Sequence, residues 1–275
     1  MTGRIDRPLI AAHDAPPVTI INPGGTSSFL LIGDHAGNAV PSALAGLGLG
    51  ESELARHIGW DIGIGVIGPL LAARLDAVFV RQTYSRLVVD CNRSQSQPDA
   101  IAEVSDGTVI PGNANLSDLE KTERFAAIHE PYQAAIAGEL DRRDASGQAP
   151  ILVALHSFTP AMRGPGATQG TPRPWHVGIL HDRGDTRFAT AMLDVLAQET
   201  DLTTGDNEPY RMDLIDYTIP RHAYPTGRLY AEIEIRQDLL ATPADCARWA
   251  DRLAIVLNKA AQQLGIVSKS GAVPR

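Results

Sequence analysis

Two histidines follow apolar runs that read as strands: His35 comes just after Phe29 to Gly33, and His156 closes Ile151 to Leu155. Neutral imidazoles are good zinc ligands, and a catalytic zinc keeps one position open for water. Water bound there loses its proton at about pH 7 rather than far above it. A third strand, Tyr230 to Ile235, alternates Glu232 and Glu234 against Ala231, Ile233 and Ile235. Side chains two apart share one face of a strand, so the two carboxylates sit together. A glutamate beside a metal can take a proton from water and deliver it to a departing amine. A further strand is expected over Leu87 to Asp90, and it presents Asp90, Asn92 and Arg93 at its end. A guanidinium there is the natural fork for a substrate carboxylate. These parts together make a metal-dependent amide hydrolase, with His35 and His156 as ligands, Glu234 as the base and Arg93 as the clamp.

Each signal has a plainer reading. A lone histidine at a strand end is more often hydrogen-bonded than metal-bound, so the convergence of several strand ends carries the argument. His57 and Asp61 lie four apart in a predicted helix and read as a pair that braces the fold. His129 reads equally as a packed histidine or as a group reaching the site from a kink at Pro131. Arg86, Arg221, His222 and Arg228 each read singly as surface charges. No HExxH helix is present. A serine nucleophile has no GxSxG elbow to sit on, and Ser157 points away from its neighbour His156 in an extended chain. Cys91 alternates away from Asp90 and is a poor nucleophile candidate.

These groups need strands whose carboxyl ends meet at one cleft. That is the geometry of an open α/β sheet, where ligands bind beyond the strand ends. The apolar runs at Phe29 to Ile32 and Ile151 to Leu155 are continuous, as expected for strands buried on both faces. Further strands are expected at Ala77 to Arg81 and at His176 to His181, the latter with His181 nearer the reactive edge. Helices are expected over Ser52 to Leu75, from a Ser117–Glu120 capping box towards Arg143, after Asp185, and from Thr242 to Gly265. Residues 1–28 are punctuated by proline and glycine and read as an irregular arm. Residues 29–266 form the catalytic domain, residues 267–275 a loose tail, and the glycine-rich 159–175 a flap. The chain has 275 residues, 44% of them hydrophobic, enough for one substantial core. A net charge of -8 argues against a nucleic-acid surface. Two cysteines imply no disulfide framework. No run is long enough to span a membrane, and the first residues are too polar for a secretory signal. A cytoplasmic protein is expected.

Seven segments then fit one family. DHAGNAVP at Asp34 to Pro41, HIGWDIG at His57 to Gly63, and SRLVVDCNRS at Ser85 to Ser94 come first. VSDGTVIPGN at Val104 to Asn113, ALHSFTP at Ala154 to Pro160, GDNEPY at Gly205 to Tyr210, and EIEIRQDLL at Glu232 to Leu240 follow. In this order the chain resembles a short, divergent N-formylglutamate amidohydrolase, and more distantly the zinc carboxypeptidases and aspartoacylase-like deacylases. The resemblance implies a single α/β domain with a central mixed, largely parallel sheet flanked by helices. It implies one zinc ion on His35, His156 and Asn38, and general-base catalysis by Glu234. Asn38 stands where those relatives carry a glutamate, and a neutral amide is a poorer ligand. Asp34, Asp61, Asp90 or another histidine is the alternative third ligand. The resemblance also implies that Asn92 and Arg93 bind the substrate carboxylate. Arg86, Arg221, His222 and Arg228 are candidates for a second one. The substrate so implied is a small-molecule N-acyl amino acid, foremost N-formyl-L-glutamate, cleaved to formate and glutamate. A carboxypeptidase, another N-acyl amino acid deacylase, and a degenerate binding protein without activity are the competing expectations.

Overall fold

Runs rich in branched and aromatic residues, bounded by glycine, proline or aspartate, form the strands. They are β1 (Val18–Ile21), β2 (Phe29–Gly33), β3 (Val78–Gln82), β4 (Ile151–Phe158), β5 (Val177–Leu180), β6 (Thr204–Asp206) and β7 (Tyr230–Arg236). The computed structural model describes residues 8–162 and 170–266, and it joins these seven strands in the order β1-β3-β2-β4-β7-β5-β6. Strands β3, β2, β4 and β7 run parallel. Strand β1 is antiparallel to β3, and β5 is antiparallel to β7. The result is the mixed, largely parallel sheet of a single α/β domain.

Every residue of β2 and β4 is buried. Alternation sends Phe29, Leu31, Val153 and Leu155 to one face, against α1 (Ile64–Leu75), α4 (Arg187–Leu196) and α6 (Pro243–Gln263). It sends Leu30, Ile32, Leu152 and Ala154 to the other, where α3 (Glu130–Ala145) packs through Tyr132, Ile136 and Leu140. Helices on both faces leave only the strand ends for chemistry. Ser117 and Glu120 form the capping box of α2 (Asp118–Arg124), and Thr242 with Asp245 forms that of α6. A π-type turn over Phe125–His129 joins α2 to α3 in one continuous helical run, and Pro131 follows it where the i→i−4 ladder is already interrupted.

Four expectations differ from the fold. Val18–Ile21, inside the supposed irregular arm, pairs with β3 as an edge strand. Ser52 to Leu75 is not one helix: a single turn, Glu51–Leu54, is followed by irregular chain until α1. Gly63 breaks it with φ 90°, and a Cβ there would lie 2.5 Å from Leu240 Cβ. Leu87 to Asp90 is not a strand. The Leu87 carbonyl accepts from Asn113 and the Val88 carbonyl from Arg124, so these groups serve a clamped loop rather than a ladder. Finally, β5 runs antiparallel to β7, which puts His176, not His181, at the carboxyl edge of β7. The proposed tail at 267–275 and residues 163–169 of the flap lie outside the described residues.

Candidate metal centre and active site

The turn after β2 is docked firmly. Ala39 donates to the Thr83 carbonyl at 3.2 Å, and a Cβ on Gly37 would come within 2.0 Å of that same oxygen. Only glycine allows this approach, and it fixes Asp34 and His35 at the end of β2. His156 stands on β4, the neighbouring strand. The two imidazoles lie edge to face with centroids 5.1 Å apart. Asp61 comes from the irregular chain before α1, where its own N–H donates to the His35 carbonyl at 2.9 Å.

Asp61 Oδ2 lies 2.9 Å from His156 Nδ1 and 3.5 Å from His35 Nδ1. Ligand atoms of the three residues fall within 4.8 Å of one another, and all three side chains are buried. Behind each ring stands another carboxylate. His35 Nε2 is hydrogen-bonded to Asp90 at 2.7 Å, and His156 Nε2 faces Asp34 at 3.3 Å, too poorly aligned for a hydrogen bond. Asp34 is itself anchored by the Thr218 hydroxyl at 2.7 Å. A carboxylate on the distal nitrogen is the usual way to orient a metal-binding histidine. His35 Nδ1 is buried with no hydrogen bond, which is costly unless something else binds it.

The electrostatics favour a cation. Burial opposes charge on His35, and Arg86 repels it, yet Asp90 and Asp61 hold its imidazole above the ordinary value. Burial also opposes charge on His156, but Glu232, Asp34 and Asp61 carry it well above. Asp61 is held low by His35 and His156 despite its burial. Two imidazoles and a carboxylate suit a divalent transition metal. The donor set, its carboxylate backing and the unpaired His35 nitrogen therefore fit a metal.

Glu234 faces this centre from β7, opposite His156 in the strand register. Its Oε2 is buried and unpaired, and burial pushes the carboxyl up to about 8. Glu232, also raised to about 8 by burial, lies one pleat deeper on the same face. Both open on a cavity of about 430 Å³ with His35, Asp61, His156, Arg86 and Arg93.

The remaining candidates are placed as follows. Arg86 lines the cavity but is committed to Asp90 at 2.6 Å and faces Asp61 at 3.7 Å. Arg93 lines it too, paired with Asp99 at 3.0 Å and 3.8 Å from Asp216. Asn92 mainly fixes the neighbouring chain: its Oδ1 accepts from the Tyr217 and Thr218 N–H groups, each at 2.9 Å, and its amide donates to Asp216. One amide hydrogen is left for a ligand. Asn38 does not line the cavity; its Oδ1 is unpaired and lies towards Gly59, and Asp61 is the oxygen donor beside the histidines. His222 is bonded to Gln133, and burial lowers its pKa to about 4, so at neutral pH it is no cation for a carboxylate. Arg228 sits at the opposite end of the sheet, paired with Asp144 and the Pro150 carbonyl. Arg221 is exposed against Tyr217. His129 Nε2 donates to the Arg93 carbonyl at 3.0 Å, outside the cavity. His57 faces Asp106 at 3.6 Å and not Asp61, so the expected bracing pair does not form. Asp216, Tyr210 and Arg211 line the cavity without having been singled out. Tyr210 belongs to the GDNEPY segment, which was the available signal.

The sequence profile of the N-formylglutamate amidohydrolase family matches residues 27–241. A gene product of Agrobacterium tumefaciens is similar in structure, with TM-score 0.88 and 33% identity over 94% of this chain and 99% of that one. An N-formylglutamate amidohydrolase from Ralstonia eutropha shares the fold, with TM-score 0.60 and 18% identity over 89% of this chain and 99% of that one. Among curated proteins none matches.

Proposed function

The chain belongs to the N-formylglutamate amidohydrolase family, and on that premise we propose that it is a zinc-dependent amidohydrolase acting on N-acyl amino acids. N-formyl-L-glutamate, which the family is named for, is the reference substrate. The observation that carries this reading is the convergence of His35, Asp61 and His156 within reach of the unpaired Glu234 carboxylate. His35 Nδ1, His156 Nδ1 and Asp61 would hold the ion, with Asp90 and Asp34 orienting the rings. A metal held there would supply Lewis-acid polarisation of the amide carbonyl and make a water more acidic.

Glu234 is the general base. Its raised carboxyl would be ionised at neutral pH once a cation is held beside it. It takes a proton from the attacking water and returns it to the departing amine nitrogen as the C–N bond breaks. Arg93 attracts the α-carboxylate of the substrate, and the spare amide hydrogen of Asn92 supports it. Arg86 holds Asp90, and through it the His35 ring. Asp61 supplies the carboxylate that Asn38 lacks, which favours a working centre over a degenerate scaffold. Two free, buried thiols, Cys91 and Cys246, agree with a cytoplasmic setting. Among the described residues no helix is long and apolar enough to cross a membrane.

The test is formate release from N-formyl amino acids by zinc-loaded protein, set against acetyl and succinyl analogues and short peptides. Turnover confined to peptides would replace this reading with a carboxypeptidase.

A further inference from the structure

Tyr210 lines the cavity together with Glu234, His35, Asp61 and His156, yet neither the base nor the clamp involves it. It is held rather than loose. Earlier in the same segment, Asn207 donates to the Ile179 carbonyl of β5 at 3.0 Å, and its Oδ1 accepts from the His181 N–H at 2.9 Å. The Tyr210 hydroxyl accepts a hydrogen bond from Arg173 Nη1 at 2.9 Å, and the guanidinium lies 4.7 Å from the centre of the ring.

Arg173 is 6% exposed. Its other side-chain contacts are the Thr159 carbonyl and hydroxyl and Met162 Sδ, none of them a carboxylate. A buried guanidinium is seldom left without an anion, because its desolvation is costly. Here it faces a phenol, and an O–H becomes a stronger donor when its oxygen accepts from a cation. The Tyr210 hydrogen has no acceptor of its own among the described residues. Burial and the nearby Glu234 raise the pKa of the hydroxyl, Asp61 adds to this, and Arg173 opposes it. The hydroxyl therefore keeps its proton at neutral pH and lies towards Glu234 and Asp61. The cations of the cavity differ from it: Arg86 and Arg93 are tied to Asp90 and Asp99, and Arg211 is exposed.

We propose that Tyr210 is a further catalytic residue, whose hydroxyl donates a hydrogen bond to the amide oxygen as that oxygen gains negative charge. Arg173 is the positioning residue that polarises it. Glu234 remains the base, and Tyr210 keeps its hydrogen from substrate to product. A neutral donor suits this place: it steadies the transient oxyanion beside two carboxylates, and it gains most where charge develops. This rests on the amidohydrolase reading and adds one group to it.

The experiment compares Tyr210→Phe with the unchanged protein, both zinc-loaded, on whichever formyl, acetyl or succinyl amino acid is turned over fastest. The substitution keeps the ring and its contact with Arg173. The kcat should fall by about 10- to 100-fold with KM unchanged. In calorimetry, a phosphonamidate analogue, with tetrahedral phosphorus in place of the acyl carbon, should lose about tenfold or more in affinity, while the product amino acid binds as before. Arg173→Gln should lower kcat in the same direction and add little in the Tyr210→Phe background. If Arg173→Gln does not fold, the two Tyr210→Phe measurements decide alone. A full kcat in Tyr210→Phe, a raised KM with kcat intact, or an unchanged affinity for the analogue would overturn the role and leave the amidohydrolase standing. Absence of turnover by the unchanged protein on the whole panel would overturn both.

Discussion

At the amino end of β2 and β4, Arg143 donates to the Gly25 and Ser27 carbonyls and to Glu139. Arg228 donates there to the Pro150 carbonyl and to Asp144. Charge at that end ties chain to chain. At the carboxyl end of the same strands, His35 Nδ1, Asp34 Oδ2, His156 Nε2 and Glu234 Oε2 are buried without a hydrogen bond. Burial is similar at both ends, but at the amino end these two arginines leave only Arg228 Nε without a hydrogen bond. A folded chain leaves buried polar atoms open only at a cost. The end with several open atoms around one cavity is therefore where a ligand is expected, and the arginine-tied end is where stability is stored.

Substitutions can test that contrast. The largest effect is expected from Glu234→Gln, which keeps shape and removes the base. Turnover of the substrate should fall by about 100-fold or more with zinc still bound 1:1, as checked by steady-state kinetics and metal analysis. At the other end, Arg143→Ala should cost roughly 3 kcal/mol in urea unfolding, because it removes a buried guanidinium and strands two carbonyls, while Glu139 keeps Arg142. Zinc affinity should be unchanged. A loss of zinc there with stability intact would dissolve the distinction between the two ends. Arg93→Ala should raise KM more than it lowers kcat, by the roughly 1.5–3 kcal/mol of a charge-assisted contact; an unchanged KM would remove it from the substrate. Asp90→Asn should weaken zinc binding about 10- to 100-fold by loosening the His35 ring, measured by competition with a chelating dye.

A further prediction concerns pH. Despite their burial, His35 and His156 are held above the ordinary imidazole value by the carboxylates around them. In metal-free protein they are therefore protonated to higher pH than usual. Zinc must displace those protons, so its affinity rises with pH, by about tenfold per unit for each proton displaced, until the imidazoles are neutral. Affinity independent of pH between 6 and 8 would mean that these rings are not the ligands.

Much of this arrangement could be read from residue order. His35, His156 and Glu234 each end or lie near the end of an apolar or alternating run, and such runs make strands whichever partner they find. Three features could not be read. Asp61 sits in chain that helical periodicity assigned to a helix, and the break depends on Gly63 meeting Leu240, far away in sequence. Arg228 follows a turn that reads like an active-site loop, and only the strand order shows that it lies at the far end. His222 bears a cation on paper, but burial against Gln133 keeps it neutral. In each case the deciding contact is tertiary, and a local pattern carries no record of it.

The central claim is that two imidazoles and Asp61 grip one metal ion. X-ray absorption spectroscopy on the protein loaded with one equivalent of zinc addresses it directly. The account predicts scattering from two imidazoles with the remaining ligands oxygen, and the loss of one imidazole in His156→Ala. Zinc bound without imidazole scattering, or a spectrum unchanged by that substitution, would contradict it.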